Sequence, residues 1–226
     1  MNGFPFDIVG FDLDGTLLDT HGDLGEALNH ALELGGRPRI PVAQVRALVG
    51  GGSGRMLGNA LERTGGRVED AEFARLHAAL LTHYEANIAV HSVLFPGGEA
   101  MLDALGARGV RLAVVTNKLE RFATALLDAL GLSQRFFTII GGDTLGPGRA
   151  KPAPDLLHEM LARGGGGRAA YVGDTTFDTG AARAAGLPCV VFGAGYADAP
   201  PERIGGDALI AHYDELIPVL EGLGRQ

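Results

Sequence analysis

Apolar and polar positions follow one pattern over most of the chain and another in a segment near its start. A short apolar run at Asp7–Leu13 ends at a turn, which predicts a buried strand. The next residues have helical spacing, with predicted helices at Leu24–Leu34, Val42–Val49, Gly54–Thr64 and Val68–Ala89. After Phe95 helices and strands alternate: helix Glu99–Ala107, strand Arg111–Thr116, helix Leu119–Leu130, strand Phe137–Ile140, helix Pro154–Arg163, strand Ala170–Gly173, helix Phe177–Ala185, strand Pro188–Phe192 and helix Asp214–Leu223.

The alternation predicts an α/β fold, a doubly wound (Rossmann-like) parallel sheet with helices on both faces. Because the helical segment interrupts this pattern just after the first strand, we expect it to form an inserted all-helical domain. The expected boundaries are residues 1–18 and 91–226 for the α/β core and residues 19–90 for the insert. Hinges are expected near Leu18–Asp23 and Ala89–Phe95, where the chain crosses between the two parts.

Composition narrows the classes of partner. The 226 residues include 19 basic and 27 acidic side chains, a formal net charge of −8. Nucleic-acid binders and proteins of anionic membranes carry the opposite charge, so neither partner is expected. The single cysteine, Cys189, excludes an intramolecular disulfide, and no secretion-signal pattern is seen, so we expect a cytoplasmic protein. A monomer and a homodimer both remain open.

Polar side chains stand at the carboxyl ends of the predicted strands, where open α/β sheets bind ligands. Asp12 and Asp14 are two positions apart and share a face of an extended chain, and with Asp174 they form an all-oxygen set suited to Mg²⁺. The Thr116 hydroxyl, the Lys151 ammonium and backbone N–H groups of a glycine-containing turn would complement phosphate oxygens. The chemistry indicated is phosphoryl transfer, and the other polar residues at these ends are Thr16, Asn117, Lys118 and Asp178.

Four segments contain these residues: FDLDGT at Phe11–Thr16, VVTNK at Val114–Lys118, AKPAPD at Ala150–Asp155 and VGDTTFD at Val172–Asp178. In this order they resemble the four motifs of the haloacid dehalogenase superfamily. Their residues are similar to those of its phosphoglycolate phosphatase branch. The resemblance covers the whole chain and implies that the helical insert is a cap domain. It implies a Mg²⁺-dependent phosphatase that hydrolyses a small phosphate monoester, with 2-phosphoglycolate as the leading substrate and glycolate and phosphate as products.

The resemblance also implies roles for individual residues. Asp12 would attack phosphorus to form an aspartyl-phosphate, Asp14 would protonate the leaving alcohol and then activate water, and Lys151 would neutralise Asp12. An acid at position 14 favours phosphate esters over carbon–halogen bonds, which need no such proton. Mg²⁺ would be held by Asp12, Asp14 and Asp174, with Asp178 and Thr16 in support. The phosphoryl oxygens would contact Asp12, Gly15, Thr116, Asn117 and Lys151.

Substrate selection is expected in the insert, since a cap that closes over the leaving group contacts its organic part. In the loop Val49–Arg55, Arg55 is the candidate to pair with a substrate carboxylate. The other candidates for substrate selection are Gly52, Ser53, Lys118 and His21. Two alternatives stay open: an enzyme with the same core that acts on sugar phosphates, as a phosphatase or a phosphosugar mutase, and a catalytically idle binding module.

Overall fold

The computed structural model of the chain describes residues 3–225. Its strands are β1 (Ile8–Phe11), β2 (Leu18–Asp19), β3 (Val93–Leu94), β4 (Arg111–Val115), β5 (Thr138–Ile140), β6 (Ala169–Gly173), β7 (Cys189–Phe192) and β8 (Ala208–Ile210). Its α-helices are α1 (His21–Leu34), α2 (Val42–Val45), α3 (Ser53–Arg63), α4 (Asp70–Ala86), α5 (Gly98–Gly106), α6 (Glu120–Ala129), α7 (Asp155–Arg163), α8 (Thr176–Ala185), α9 (Pro201–Ile204) and α10 (Leu216–Leu223).

Six strands form one parallel sheet in the order β5-β4-β1-β6-β7-β8. All four residues of β1 are buried, as expected for a central strand covered by helices on both faces. The chain runs outward from β1 through β4 to β5 and then continues on the other side from β6 to β8. This reversal leaves a crevice at the carboxyl ends of β1, β4 and β6, where ligands bind in open sheets. The prediction of an α/β fold with a doubly wound parallel sheet is confirmed.

Close packing of helices on the sheet explains a glycine in the middle of β1. A Cβ atom at Gly10 would lie 2.5 Å from the sulfur of Met160 on α7 and 3.0 Å from the ring of Tyr171 on β6. Since the interior is packed as densely as an organic crystal, a larger residue there would force the Met160 side chain to repack. The strand ends that carry the polar residues are therefore held by a tightly packed core.

Helices α1 to α4, here called the helical insert, pack mainly on one another, with α1 in contact with the other three. The chain leaves and re-enters the core side by side, since β2 and β3 pair antiparallel with Leu18 opposite Leu94. Buried Asp23 fastens the second crossing, because its carboxylate accepts hydrogen bonds from the N–H groups of His91 and Ser92 and from the Ser92 hydroxyl. The domain boundaries at residues 19 and 90 stay a prediction.

Several predicted elements differ from the structure at short or irregular segments. The sequence pattern missed β2, β3 and β8, because strands of two or three residues are too short to show an alternation. The predicted helix Val42–Val49 divides into α2 and a 3₁₀ turn at Arg46–Leu48, and α1 begins at His21, three residues earlier than predicted. Within residues 3–225, every helix is too short or too polar to cross a membrane.

Candidate active site

The buried ammonium of Lys151 lies at the centre of the crevice, between the ends of β1, β4 and β6. Its Nζ atom is 3.0 Å from Asp12 Oδ1 and 2.6 Å from Asp178 Oδ1. It also donates to the Val115 carbonyl oxygen at 3.0 Å and to the Tyr171 hydroxyl at 2.8 Å. Burial disfavours the charge, but the attraction of Asp12 and Asp178 outweighs burial and raises the pKa of Lys151. The lysine is thus a fixed cation directly beside Asp12.

Asp12 is also one of three buried carboxylates that form a cluster. Asp12, Asp174 and Asp178 each place one oxygen within 4.8 Å of the other two. Burial, reinforced by Asp178 and Asp14 and opposed by Lys151, raises the pKa of Asp12 to about 6. Burial, reinforced by Asp178 and Asp12, raises the pKa of Asp174 well above its ordinary value. Among the described residues Asp12 Oδ1 makes no hydrogen bond of normal geometry, so the cluster fits a divalent cation bound through oxygen.

Asp178 and Asp174 play different parts in this cluster. One oxygen of Asp178 contacts Lys151, and the other accepts from the Thr175 N–H at 3.0 Å and the Thr175 hydroxyl at 2.6 Å. The oxygens of Asp174 accept from the Thr16 hydroxyl at 2.9 Å and the Tyr196 N–H at 2.6 Å. Because the Asp178 carboxylate is more fully committed, Asp12 and Asp174 are better placed as metal ligands.

Asp14 points away from the acid cluster, toward the helical insert. Its carboxylate lies 2.9 and 3.1 Å from Lys118 Nζ and accepts from the Thr20 hydroxyl at 2.7 Å. Lys118 is buried as well, and Asp14 outweighs the effect of burial and raises the pKa of this lysine. The four carboxylates and two ammonium groups of the site leave two uncompensated negative charges when all are ionised, which a divalent cation would balance.

A small cavity of about 40 Å³ separates these groups from the helical insert. The side of the cavity formed by the sheet is polar, and the side formed by the insert is mostly apolar. The lining residues that the sequence analysis did not name as site residues are Leu24, Val49, Gly50, Met56, Leu80, Leu81, Tyr84, Leu119 and Phe122. A water molecule needs about 10–15 Å³ on this measure, so the cavity holds roughly three waters. In this arrangement it accommodates only a small leaving group.

Most of the predicted site residues meet here. The cavity is lined by Asp12, Asp14, Gly52, Ser53, Thr116, Asn117 and Lys118, while Lys151, Asp174, Asp178 and Thr16 surround Asp12. Arg55 and His21 lie outside. The exposed Arg55 guanidinium stacks 5.0 Å from the ring centre of Phe177, and the His21 imidazole pairs with Asp19. The structure therefore does not support these two as contacts of a leaving group in the cavity.

The structure corrects the expected phosphate contact of Gly15. Its N–H donates to the Leu18 carbonyl oxygen at 2.9 Å, so this group is occupied within the turn. Gly15 has φ of 84°, a conformation that favours glycine. A Cβ atom there would also lie 2.4 Å from Asp174 Oδ2. The residue is needed for the turn and for close approach to Asp174, which a motif in the sequence does not distinguish from phosphate binding.

The Asn117 side chain connects two loops at the edge of the cavity. Its amide nitrogen donates to the carbonyl oxygens of Gly50 and Lys151, each at 3.0 Å, and its amide oxygen accepts from the Lys151 N–H at 2.8 Å. Asn117 thus joins the loop before α3 in the helical insert to the loop that carries Lys151. Because the side-chain amide is occupied by these backbone groups, a phosphate contact of Asn117 would have to come from its backbone N–H, and that contact stays a prediction.

Four residues of the site region escaped the sequence analysis. Tyr171 and Tyr84 look like ordinary core residues in a strand and a helix, although the Tyr171 hydroxyl accepts from Lys151 and Tyr84 lines the cavity. The Tyr196 hydroxyl accepts from the N–H groups of Thr20 and His21, where the chain enters the insert. Only Thr20 carried a usable signal, as a hydroxyl just before a helix.

Comparison with known proteins agrees with this geometry. The family model of haloacid dehalogenase-like hydrolases matches residues 6–186. The chain is 38% identical to the phosphoglycolate phosphatase of Rhodospirillum rubrum, with 96% of this chain and 90% of that protein covered, and 39% identical to that of Caulobacter vibrioides, with 91% and 86% covered. A crystal structure described as a predicted phosphoglycolate phosphatase from Haemophilus somnus superposes with a TM-score of 0.86 at 29% identity, covering 95% of this chain and 98% of that one. The chain therefore belongs to the haloacid dehalogenase-like hydrolases.

Proposed function

We propose that this enzyme is a Mg²⁺-dependent phosphatase that hydrolyses 2-phosphoglycolate to glycolate and phosphate. The curated relatives named phosphoglycolate phosphatase support the substrate, since they match nearly the whole chain. The observation that carries the proposal is the buried Lys118 ammonium in a small and otherwise largely apolar cavity, next to Asp14 and facing the insert. A cation in such a place favours a leaving group that is both small and negatively charged.

The proposed reaction uses Asp12 and Asp14 in two steps. A carboxylate oxygen of Asp12 attacks phosphorus, the bond from phosphorus to the leaving oxygen breaks, and protonated Asp14 gives its proton to that oxygen. In the second step Asp14 takes a proton from water, and the water oxygen attacks phosphorus and breaks its bond to Asp12. Phosphate leaves, and Asp12 is regenerated as a carboxylate. Lys151 stays charged throughout and holds Asp12 in place.

The divalent cation of this family is proposed to be Mg²⁺, held by Asp12, Asp174 and the backbone carbonyl of Asp14. When bound, it would neutralise the phosphoryl oxygens and so reduce their repulsion of the Asp12 carboxylate. Thr116 is proposed to donate its hydroxyl to a phosphoryl oxygen, since it lines the cavity at the end of β4 beside Asp12. Thr16 is proposed to orient Asp174, and Asp178 to orient Lys151.

The helical insert, residues 19–90, is proposed to act as the cap that selects the leaving group. The small cavity favours the two-carbon glycolate group over the six-carbon group of a hexose phosphate. Ser53 and Gly52 belong to the insert side of the cavity, and Ser53 is oriented by His77, whose Nε2 lies 2.9 Å from its hydroxyl oxygen. We infer a cytoplasmic location from the single cysteine, Cys189, which is a buried free thiol.

The test is phosphate release with Mg²⁺ from 2-phosphoglycolate and from a panel of sugar, amino-sugar and nucleoside monophosphates. We expect kcat/KM for 2-phosphoglycolate to exceed the others by at least about 100-fold, since a buried ion pair and the cavity size both discriminate. The Asp12→Asn variant provides the blank. A profile centred on sugar phosphates would disprove the substrate but retain the phosphatase. Transfer of phosphate back to a sugar without release would indicate a mutase, and no turnover of any ester a binding module.

A further inference from the structure

Tyr84, on α4 of the helical insert, has a hydroxyl group that makes no hydrogen bond of normal geometry with the described residues. The residue is 2% exposed, and its hydroxyl oxygen is shielded from solvent. Burying a hydroxyl without a partner is unfavourable, and such groups are uncommon in folded proteins. Because Tyr84 lines the cavity that faces Asp12 and Asp14, a bound ligand can supply the missing partner.

The ring of Tyr84 lies on the core side of the insert and meets two core residues there. Lys118 Nζ is 4.4 Å from the ring centre, and the ring packs edge-on against Phe122 on α6 at 5.5 Å between centres. Burial raises the pKa of Tyr84 to about 12, so its hydroxyl stays protonated and can donate a hydrogen bond. The insert thus brings a donor to the same place where the core presents an ammonium group.

Lys118 and Tyr84 are polar residues of the cavity to which the proposed phosphoryl transfer assigns no substrate contact. Ser53 is another, but its hydroxyl already lies 2.9 Å from His77 Nε2. Lys118 uses N–H groups toward Asp14, and an ammonium has three, so it can contact a second carboxylate. Most of the surrounding side chains are apolar, as Leu80, Leu81 and Leu119 are. A charged carboxylate entering this space must find its compensation at Lys118 and Tyr84.

We propose that the Tyr84 hydroxyl and the Lys118 ammonium together form the subsite for the carboxylate of the leaving group. The inference rests on the proposed function and names how this chain recognises its substrate. Lys118 provides the charge and Tyr84 the directional hydrogen bond. Since Tyr84 comes from the insert and Lys118 from the core, the subsite is complete only when the two are docked as in this structure.

The experiment compares 2-phosphoglycolate with 2-hydroxyethyl phosphate, an ester of similar size whose leaving group has no carboxylate. For wild type we expect a strong preference for 2-phosphoglycolate in kcat/KM. Tyr84→Phe should lower this preference about 10- to 100-fold, mainly through KM, since it removes one hydrogen bond to a charged group. Glycolate should also become a weaker competitive inhibitor of the variant, which measures the subsite without the phosphoryl step.

Two further variants keep the result interpretable. Arg55→Ala, on the same insert but outside the cavity, should retain the wild-type preference, and Lys118→Met should lose it. Tyr84→Phe should keep its Tm, because its hydroxyl has no partner to lose, whereas Tyr213→Phe removes a 2.7 Å hydrogen bond to the Thr16 carbonyl oxygen and should lower Tm. A folded Tyr84→Phe enzyme with the wild-type preference would overturn this inference alone. A wild-type enzyme without the preference would overturn the proposed substrate as well.

Discussion

The two walls of the cavity are built differently. In the wall formed by the sheet, the charged groups are paired: Lys151 lies between Asp12 and Asp178, and Lys118 contacts Asp14. In the wall formed by the helical insert, most side chains are apolar, and the hydroxyl of Tyr84 lacks a partner among the described residues. The sheet wall is therefore preorganised for charge movement before any substrate binds. The insert wall obtains its missing contact from a ligand, as a recognition surface does.

Replacing Asp12, the proposed nucleophile, should abolish catalysis and leave the fold intact. For Asp12→Asn we expect phosphate release to fall by at least about 10⁴-fold, because an amide cannot form the phosphorylated intermediate. The thermal stability should not fall, since the change removes one of several clustered buried charges. Phosphate release is measured beside circular dichroism of both proteins. A folded variant that keeps about a tenth of the activity would contradict the role of Asp12.

Removing the Lys151 ammonium should lower both the activity and the stability of the protein. Lys151→Met leaves Asp12 and Asp178 buried without their common partner, so we expect a loss of about 3–5 kcal/mol in the free energy of unfolding. Activity should fall about 10³-fold or more. Urea unfolding and phosphate release measure the two effects. Lys151→Arg serves as control: it keeps the charge but cannot reproduce four contacts made by one nitrogen, so it should recover stability in part and little activity.

The acid cluster predicts an unusual pH dependence in the metal-free enzyme. The pKa of Asp12 is raised from 3.8 to about 6, and that of Asp174 is raised too, so the folded state binds these protons more tightly than the unfolded chain does. Stability should therefore increase as pH falls from about 7 to about 5, the reverse of what a carboxylate with a lowered pKa contributes. We expect Tm in EDTA to rise by a few degrees over this range.

Mg²⁺ should change this pH dependence of Tm, because the cation replaces the protons as the partner of the carboxylates. Tm with Mg²⁺ should be higher at pH 7 and should lose its rise toward acid. Asp12→Asn in EDTA should show a smaller rise than wild type, since one of the two shifted groups is gone. A Tm that falls steadily from about pH 7 to about pH 5 in EDTA would contradict the raised pKa values of Asp12 and Asp174.

The smallest effect concerns the link between the two walls. Asn117→Ala removes the hydrogen bond to the Gly50 carbonyl of the insert together with two bonds to the Lys151 backbone. We expect kcat/KM to fall about 10-fold, because each net hydrogen bond contributes about 1 kcal/mol and part of the loop order survives. Steady-state kinetics give the value, with Arg55→Ala as the control, expected to change kcat/KM by less than about threefold. If Asn117→Ala and Arg55→Ala changed kcat/KM equally, the result would contradict a functional role for the contact of Asn117 with the insert.

The sheet wall could be predicted from the sequence because its residues follow strands directly. Once β1, β4 and β6 are recognised as parallel neighbours, their carboxyl ends must meet, and Asp12, Thr116 and Asp174 are brought together without further information. The residues of the insert wall had no such constraint. Helical spacing shows that α4 has an apolar face, but it does not show which neighbour that face contacts.

The sequence by itself determined the α/β architecture, the helical insertion after the first strand and the acidic and basic residues of the reaction centre. These follow from periodicity and from polar residues at strand ends, which are local properties of the chain. Only the tertiary structure decided that the Gly15 N–H and the Asn117 amide are already occupied, that Arg55 lies outside the cavity and that Tyr84 lies over Lys118. Such contacts depend on how the insert docks on the sheet, and no spacing within one segment encodes that.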